Sequence, residues 1–237
     1  MKILAIDSSG LVATVAVAEN NNLLGEYTIN FKKTHSQTLL PMLEEVKKMI
    51  ELDLDTVDAI AISGGPGSFT GLRIGSATAK GLGLALDKPL VHVPTLDALA
   101  YNLWGSSDVI CPLMDARRGQ VYTGIYAFEG ENFTTIKEPC AISIEELIQD
   151  VNELGRKIIF LGDGADVFES VIREKCNVPF RFAPAHMNKQ RAASVAVLGM
   201  KLYGEGKIQN AAQHKPDYMR LSQAERERME KQRDFQI

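Results

Sequence analysis

SGGPGSFTGLRIG, residues 63–75, is the stretch of sequence that decides the fold. It follows an apolar run, residues 57–62, that is typical of a buried strand. It precedes a segment from Leu72 to Leu86 that has a helical pattern and no proline. The stretch is therefore predicted to be a glycine-rich turn from a strand to a helix. Such a turn can present backbone N–H groups beside a helix N-terminus, which suits an anion. The alternative is that the glycines only build a tight turn and allow close helix packing, and the residues alone favour this alternative.

The signatures of common catalytic sites are missing from the sequence. The turn lacks both the Gly-Lys-Ser/Thr of a Walker loop and the G-x-G-x-x-G of a dinucleotide site. No two of the four histidines have the spacing of a helical metal site. No G-x-S-x-G elbow is present, although a Ser-His-Asp triad stays open because its members need not be adjacent. The sequence therefore predicts no catalytic residue, no metal site and no cofactor.

Composition and charge narrow the class of protein. The 237 residues suffice for two modest α/β lobes or one large domain. The net charge of −4 comes without a basic cluster, which argues against a free-standing nucleic-acid binder. Cys111, Cys140 and Cys176 are isolated and are expected to be unpaired thiols in a reducing compartment. The apolar run near the start, residues 3–6, is too short for a signal peptide, and no apolar run approaches the length of a membrane span. We therefore expect a cytoplasmic protein.

Periodicity and turn residues predict the order of the elements. One helix, residues 36–51, is expected to begin at Ser36 as N-cap, to present Leu39 and Leu43 on one apolar face, and to bend at Pro41. A capping box from Ser143 to Glu146 opens another helix. The predicted strands are residues 2–7, 12–18, 23–29, 57–62, 90–93, 109–114, 121–128 and 157–161. The predicted helices are residues 36–51, 72–86, 94–103, 143–153, a segment after residue 164, and 190–203.

Five blocks of sequence, in order, resemble the bacterial TsaB (YeaZ) family. They are the glycine-rich stretch itself and the runs ILAIDSS (3–9), HSQTLLP (35–41), DARRGQVY (115–122) and PDYMR with AE (216–220, 224–225). They span most of the chain, so chance similarity is excluded. The resemblance implies the actin/sugar-kinase/Hsp70-like class: a two-lobed α/β fold with a degenerate nucleotide cleft. The turn at residues 105–107 predicts the boundary between a first lobe of residues 1–104 and a second lobe of 105–189, and the density of charge predicts a tail of 208–237. The resemblance implies that a helix over 190–207 completes the first lobe.

The resemblance also indicates where a vestigial nucleotide or anion site would lie. Members of this superfamily bind ATP between two hairpin turns and an adenosine turn. In this sequence two arginines stand in the second hairpin turn, where a phosphate needs close backbone approach, so the cleft is expected to be degenerate. Those arginines could still clamp an anion through their side chains or form salt bridges. The candidate contacts are Asp7, Ser8, Ser9, Arg117, Arg118, Gly162 and Gly164.

The function implied by the resemblance is that of a non-catalytic dimerisation subunit. It would bind and activate TsaD in the complex that forms N6-threonylcarbamoyladenosine at tRNA position 37, with TsaE completing the set. The chain would form a homodimer when alone, would meet tRNA only through the complex, and would have no membrane contact. The alternatives are a small-molecule kinase or acyl transferase using the Gly65–Gly71 loop, and a peptidase.

A stripe of small residues, spaced by four, raises the question of a partner surface. Packing against the chain's own sheet is the plain interpretation of such a stripe. The resemblance favours a helix–helix interface with another subunit, which predicts that a large residue at Gly75 or Ala79 blocks association and leaves the lobes folded. The predicted partner contacts are His35, Leu39, Leu43, Gly71, Gly75, Ala79 and Gly83. In the tail, Ser222–Glu225 form a capping-box signal and Glu227 and Lys231 an i,i+4 pair, with helix and disorder both open.

Overall fold

The structure, a computed structural model, describes residues 1–31 and 34–220. Its first lobe is built on a five-stranded sheet in the order β3-β2-β1-β4-β5. The first three strands are antiparallel neighbours, whereas β4 and β5 run parallel to β1. The strands are β1 (Lys2–Asp7), β2 (Ala13–Glu19), β3 (Asn22–Ile29), β4 (Ala59–Gly65) and β5 (Leu90–Pro94).

Helices α1 (His35–Met49) and α2 (Phe69–Ala85) cover one face of this sheet, and α3 (Thr95–Tyr101) follows β5. Leu4 and Ile6 of β1 pack with α1 and α2, whereas Ile3 and Ala5 belong to the core on the opposite face. The central strands are therefore buried on both faces, which explains their nearly continuous apolar sequences.

The second lobe repeats the topology of the first. Its sheet has the order β10-β9-β6-β7-β8, again with three antiparallel and two parallel strands. Its strands are β6 (Val109–Arg117), β7 (Gln120–Glu129), β8 (Asn132–Ser143), β9 (Ile158–Leu161) and β10 (Phe180–Phe182). Its helices are α4 (Ile144–Leu154), α5 (Asp163–Val167) and α6 (Glu169–Lys175).

Helix α7 (Ala192–Gly204) follows the second lobe in the chain and returns to the first lobe. Val195 and Leu198 pack on the sheet face opposite α1 and α2. Gly199 allows this approach, since an added Cβ would lie 2.6 Å from the Cβ of Ala61. The first lobe therefore has three layers: α1 and α2 on one face of the sheet, the sheet itself, and α7 on the other face. The division at residue 104 stays a prediction.

Several sequence predictions need correction. Helix α1 begins at His35 with Thr34 as N-cap, not at Ser36. It contains Pro41 as predicted, and the bend at that residue stays a prediction. Strands β8 and β10 were not predicted at all. The capping box of α4 is present as predicted, with Ser143 and Glu146 each accepting the other's backbone N–H. Residues 208–220 are not helical but fold back on the lobes. The predicted capping box at 222–225 and the Glu227–Lys231 pair lie outside the described residues.

The small-residue stripe faces the interior of its own lobe, so the predicted partner contacts there are wrong. A Cβ added at Gly71 would lie 2.1 Å from the Ser8 carbonyl oxygen, and one at Gly75 2.4 Å from Ser8 Oγ. Ala79 is completely buried. A Cβ at Gly83 would lie 2.8 Å from that of Ala211. These residues are small because the loop after β1 and the chain after α7 pack closely on α2.

Two predicted partner contacts on α1 are likewise core residues. Leu39 and Leu43 are almost entirely buried against the first sheet. Residues spaced by four lie on one face of a helix, and on α1 and α2 that face is the inner one. The outer faces of the two helices carry other residues.

Candidate functional site

A cleft of about 340 Å³ lies between the two lobes. The first lobe contributes the loop after β1 and the start of α2, and the second contributes the β6–β7 hairpin and the start of α5. The C-terminal segment supplies the remaining wall. The lining residues include Ser9, Gly10, Ser68, Phe69, Asp115, Arg117, Tyr122, Asp163, Tyr218 and Arg220.

The first turn is held together by its own polar groups. Asp7 is buried, and one carboxylate oxygen accepts hydrogen bonds from the backbone N–H of Ser9 at 2.8 Å and its hydroxyl at 2.7 Å. The other oxygen accepts from the Ser63 hydroxyl at 2.7 Å. Burial raises the pKa of Asp7, and the hydrogen bonds from Ser9 and Ser63 oppose that rise. Ser8 donates to the Gly71 carbonyl at 2.9 Å. Of these three candidates, only Ser9 lines the cleft.

His35 fixes the same turn from the other side. Its Nε2 atom lies 2.8 Å from the Gly10 carbonyl oxygen, so a protonated Nε2 donates to that carbonyl. This bond joins the first residue of α1 to the loop after β1. His35 is therefore tied to its own chain, and the bond accounts for the start of α1 one residue before the predicted N-cap.

Three backbone N–H groups of the glycine-rich turn donate to partners within the chain. Gly65 donates to the Thr95 hydroxyl at 3.1 Å, Ser68 to the Ser9 carbonyl at 2.7 Å, and Gly71 to the Ser68 hydroxyl at 3.3 Å. The last of these bonds caps α2. A phosphate loop needs such N–H groups directed at the ligand. These three N–H groups already donate to acceptors within the chain, which argues against a kinase or acyl transferase that uses this loop.

The second-lobe turn places one of its two arginines at the cleft. Arg117 and Arg118 both have left-handed backbone, with φ of 67° and 58°. The Arg117 N–H donates to Asp115 at 2.8 Å, and its guanidinium lies 3.4 Å from the same carboxylate. Arg117 lines the cleft, whereas Arg118 is exposed and does not. The salt-bridge alternative is therefore realised for Arg117.

The two glycines of the expected adenosine turn serve packing. A Cβ added at Gly162 would lie 2.1 Å from the Leu113 carbonyl oxygen, and one at Gly164 2.9 Å from the Leu113 Cβ. Gly162 also has a φ of 98°, which favours glycine. Because both glycines lack a side chain, the start of α5 can pack directly against strand β6. Neither lines the cleft, and Asp163 between them does.

Two carboxylates line the second-lobe side of the cleft. Burial raises the pKa of Asp163, while the nearby charge of Lys189 opposes the rise. Asp115 faces the same space and adds a second negative group. Like charges repel most strongly where water is partly excluded. Arg117 and Arg220 line the same cleft, so the two carboxylates are matched by two cations and the lining has no excess of positive charge for a phosphate.

The sequence did not identify the residues of the tail that line the cleft. Tyr218 packs on Phe69 with 4.6 Å between ring centroids, and Arg220 donates to the Ala116 carbonyl at 2.5 Å. The block that contains them, 216–220, entered only as part of the family resemblance. A charge-balanced segment without apolar periodicity gives no signal for a tertiary contact of this kind.

Neither a metal-binding cluster nor a membrane-spanning helix is found in the described part of the chain. Within residues 1–31 and 34–220, no group of three or more His, Cys, Asp or Glu residues is arranged to hold a metal ion. Over the same ranges, no helix has the length and apolar character needed to cross a membrane.

Comparisons with known proteins agree along almost the whole chain. A family model described as TsaD, tRNA N6-adenosine threonylcarbamoyltransferase, matches residues 22–228. The tRNA threonylcarbamoyladenosine biosynthesis protein TsaB of Bacillus subtilis is 30% identical over 98% of this chain and 100% of that protein. TsaB of Escherichia coli is 27% identical over 93% of this chain and 95% of that protein.

Solved structures agree with the fold. A Pseudomonas aeruginosa protein described as similar to the peptidase YeaZ superposes with a TM-score of 0.78 at 25% identity, covering 92% of this chain and 99% of that one. The activator of 2-hydroxyisocaproyl-CoA dehydratase from Clostridium difficile, solved with bound ADPNP, gives a TM-score of 0.51 at 12% identity, over 87% of this chain and 97% of that one. The predicted two-lobed fold of the actin/sugar-kinase/Hsp70-like class is confirmed.

Proposed function

The chain belongs to the TsaB family of tRNA threonylcarbamoyladenosine biosynthesis proteins, and from this membership we propose that it is a non-catalytic subunit that binds and activates a TsaD-type partner. A TsaE-type subunit completes the complex, which works in the cytoplasm on tRNA position 37. When the partner is absent, the chain forms a homodimer. The tRNA is bound by the complex, because the sequence of the isolated chain has a net charge of −4 and no cluster of basic residues without acidic ones.

The observation that supports a non-catalytic role is the state of the interlobe cleft. The N–H groups of Gly65, Ser68 and Gly71 donate within the chain, and the Asp7 carboxylate is buried in the first turn. The chain's own tail lines the cleft, with Tyr218 against Phe69. A site built for phosphoryl transfer needs such groups directed at substrate. In this chain they stabilise the fold.

The outward face of α2 is the surface that best fits a partner helix. Ala77, Gly81 and Ala85 are exposed and spaced by four. Unlike Gly71, Gly75 and Gly83, Gly81 has no neighbouring atom within 4 Å of an added Cβ. Glycine inside a helix costs up to about 1 kcal/mol relative to alanine. No contact within the chain explains a glycine at this position, so Gly81 supports the close approach of a second chain.

Exposed apolar side chains flank this small-residue face. Leu84 on α2 is 61% exposed, and Leu40 on α1 is 53% exposed. Because α1 and α2 lie on the same side of the first sheet, one partner could cover both helices. The proposal thus keeps the two predicted helices as the association surface and moves the contacts to their outer faces.

Sedimentation of the chain mixed with a purified TsaD-type subunit tests this proposal. We expect a complex with the unaltered chain and at least a tenfold weaker one with Gly81→Arg, because a large charged side chain prevents close helix approach. Val197→Arg is the matched control, since Val197 is an exposed helical residue on the opposite layer. Equal binding by Gly81→Arg and Val197→Arg would contradict the proposed surface. Failure of the unaltered chain to bind would contradict the proposed function.

A further inference from the structure

The chain after α7 crosses the first lobe, and its residues 218–220 lie at the interlobe cleft. Gln209 forms a two-way backbone pair with Leu90 at the edge of the sheet, with N–O distances of 2.8 and 2.9 Å. His214 is 1% exposed, and Lys80 of α2 donates to its carbonyl at 3.3 Å. The segment is therefore anchored before it reaches the cleft.

The glycine-rich turn is shaped to receive this segment. The Asp217 N–H donates to the Gly64 carbonyl at 2.7 Å. A Cβ added at Gly65 would lie 2.3 Å from the Asp217 carbonyl oxygen. A Cβ at Gly64 would lie 2.0 Å from the ring of His92, whose Nε2 is 3.1 Å from the Asp217 carboxylate. Two glycines of the turn thus make room for the segment and for the histidine that holds it.

The end of the segment joins the two lobes. Tyr218 packs on Phe69 of the first lobe, and Arg220 donates to the Ala116 carbonyl of the second. Both side chains, with Met219 between them, line the cleft. The contacts therefore run from the start of α2, across the cleft opening, to the β6–β7 hairpin.

We propose that residues 214–220 form a strap that closes the interlobe cleft and links the lobes, so that the cleft opens only when the strap lifts. The shape of Gly64 and Gly65, the anchor at His214 and the bond to Ala116 each involve a different part of the segment. The strap is a conformational device of this chain alone. It stands whether or not the chain serves as a subunit of a larger complex.

Thiol labelling inside the cleft tests the strap directly. Ala116 lines the cleft and is 7% exposed, so Ala116→Cys places a small reporter beneath the strap. The probe is N-ethylmaleimide, with mass spectrometry to separate this site from Cys111, Cys140 and Cys176. We compare the reporter chain with and without Tyr218→Ala plus Arg220→Ala. Lys215→Ala is the matched control, because it removes a positive charge from an exposed position of the same segment.

The strap predicts at least about tenfold faster labelling of residue 116 in the double variant and an unchanged rate in Lys215→Ala, since local opening sets access to the thiol. A double variant that melts cooperatively but labels at the original rate would overturn the proposal. If the double variant does not fold, the single Arg220→Ala variant is judged by the same criterion. Hydrogen exchange of the Asp217 amide provides a second measurement in the unsubstituted chain: exchange as fast as in an unstructured peptide would also overturn the strap.

Discussion

At the scale of single residues, His214 shows how burial fixes a protonation state. Its Nδ1 lies 3.0 Å from the Gln209 Oε1, and its ring is 5.4 Å from that of His92. Burial first, and then the charges of His92 and Lys80, lower the pKa of His214 to about 4, against an opposing effect of Asp217. The ordinary histidine pKa is about 6.5. Between these values the unfolded chain binds the proton more tightly, so stability from this group falls as the pH falls.

We predict that the melting temperature depends on pH and that His214→Gln weakens this dependence. Asp7 and Asp163 have raised pKa values and act in the opposite direction, so the difference between the two chains isolates the histidine. From about pH 7 to about pH 5 the unaltered chain should lose more stability than His214→Gln, as measured by calorimetry. Parallel curves for the two chains would show that His214 is not held neutral by the fold.

At the scale of elements, α2 carries two distinct faces on one helix. Ala79 is fully buried in the core beneath the helix, whereas Gly81, two residues on, is exposed with open space around it. A substitution that introduces charge therefore has opposite consequences at these two positions. This contrast separates a core role from a surface role within a single element.

Ala79→Arg should unfold the first lobe, contrary to the expectation that a large residue there leaves the lobes folded. An unpaired charge in the core costs several kcal/mol, roughly half or more of typical stability. Gly81→Arg should fold normally and gain up to about 1 kcal/mol from helix propensity. Urea denaturation of both variants measures this. A cooperative, stable Ala79→Arg chain would mean that the inner face of α2 is open.

The elements that could be predicted from the sequence are those with a strong local signal. The capping box Ser143–Glu146 marks the start of α4, and apolar runs mark strands β1, β2 and β4. Strand β8 was missed because it is a half-exposed edge strand with Pro139 and no clear alternation, and β10 because it has three residues. The spacing of the small residues on α2 correctly predicted that they share one face of the helix. Spacing alone does not tell whether that face is buried or exposed.

At the scale of the whole molecule, two sheets of equal topology are joined by contacts distant in sequence. Helix α3 contributes Leu96 and Leu99 to the core against the second sheet, α7 completes the first lobe, and the strap reaches Ala116 from Arg220. The two-lobed fold followed from the family resemblance. Of the expected cleft residues, Ser9 and Arg117 line the cleft. The resemblance placed the turns that contain Asp115 and Asp163 at the cleft without naming these acids as contacts. The tail was missed because only tertiary packing brings it there.

The most direct test of the central claim is the formation of N6-threonylcarbamoyladenosine in tRNA by purified TsaD-type and TsaE-type subunits with and without this chain, in a mixture that supplies ATP and an activated threonylcarbamoyl donor. Product is measured by nucleoside mass spectrometry. We predict product only when the TsaD-type subunit and this chain are both present, and a large loss with Gly81→Arg but not with Val197→Arg. Product formed by this chain without the TsaD-type subunit, or formed equally well when this chain is omitted, would contradict the account.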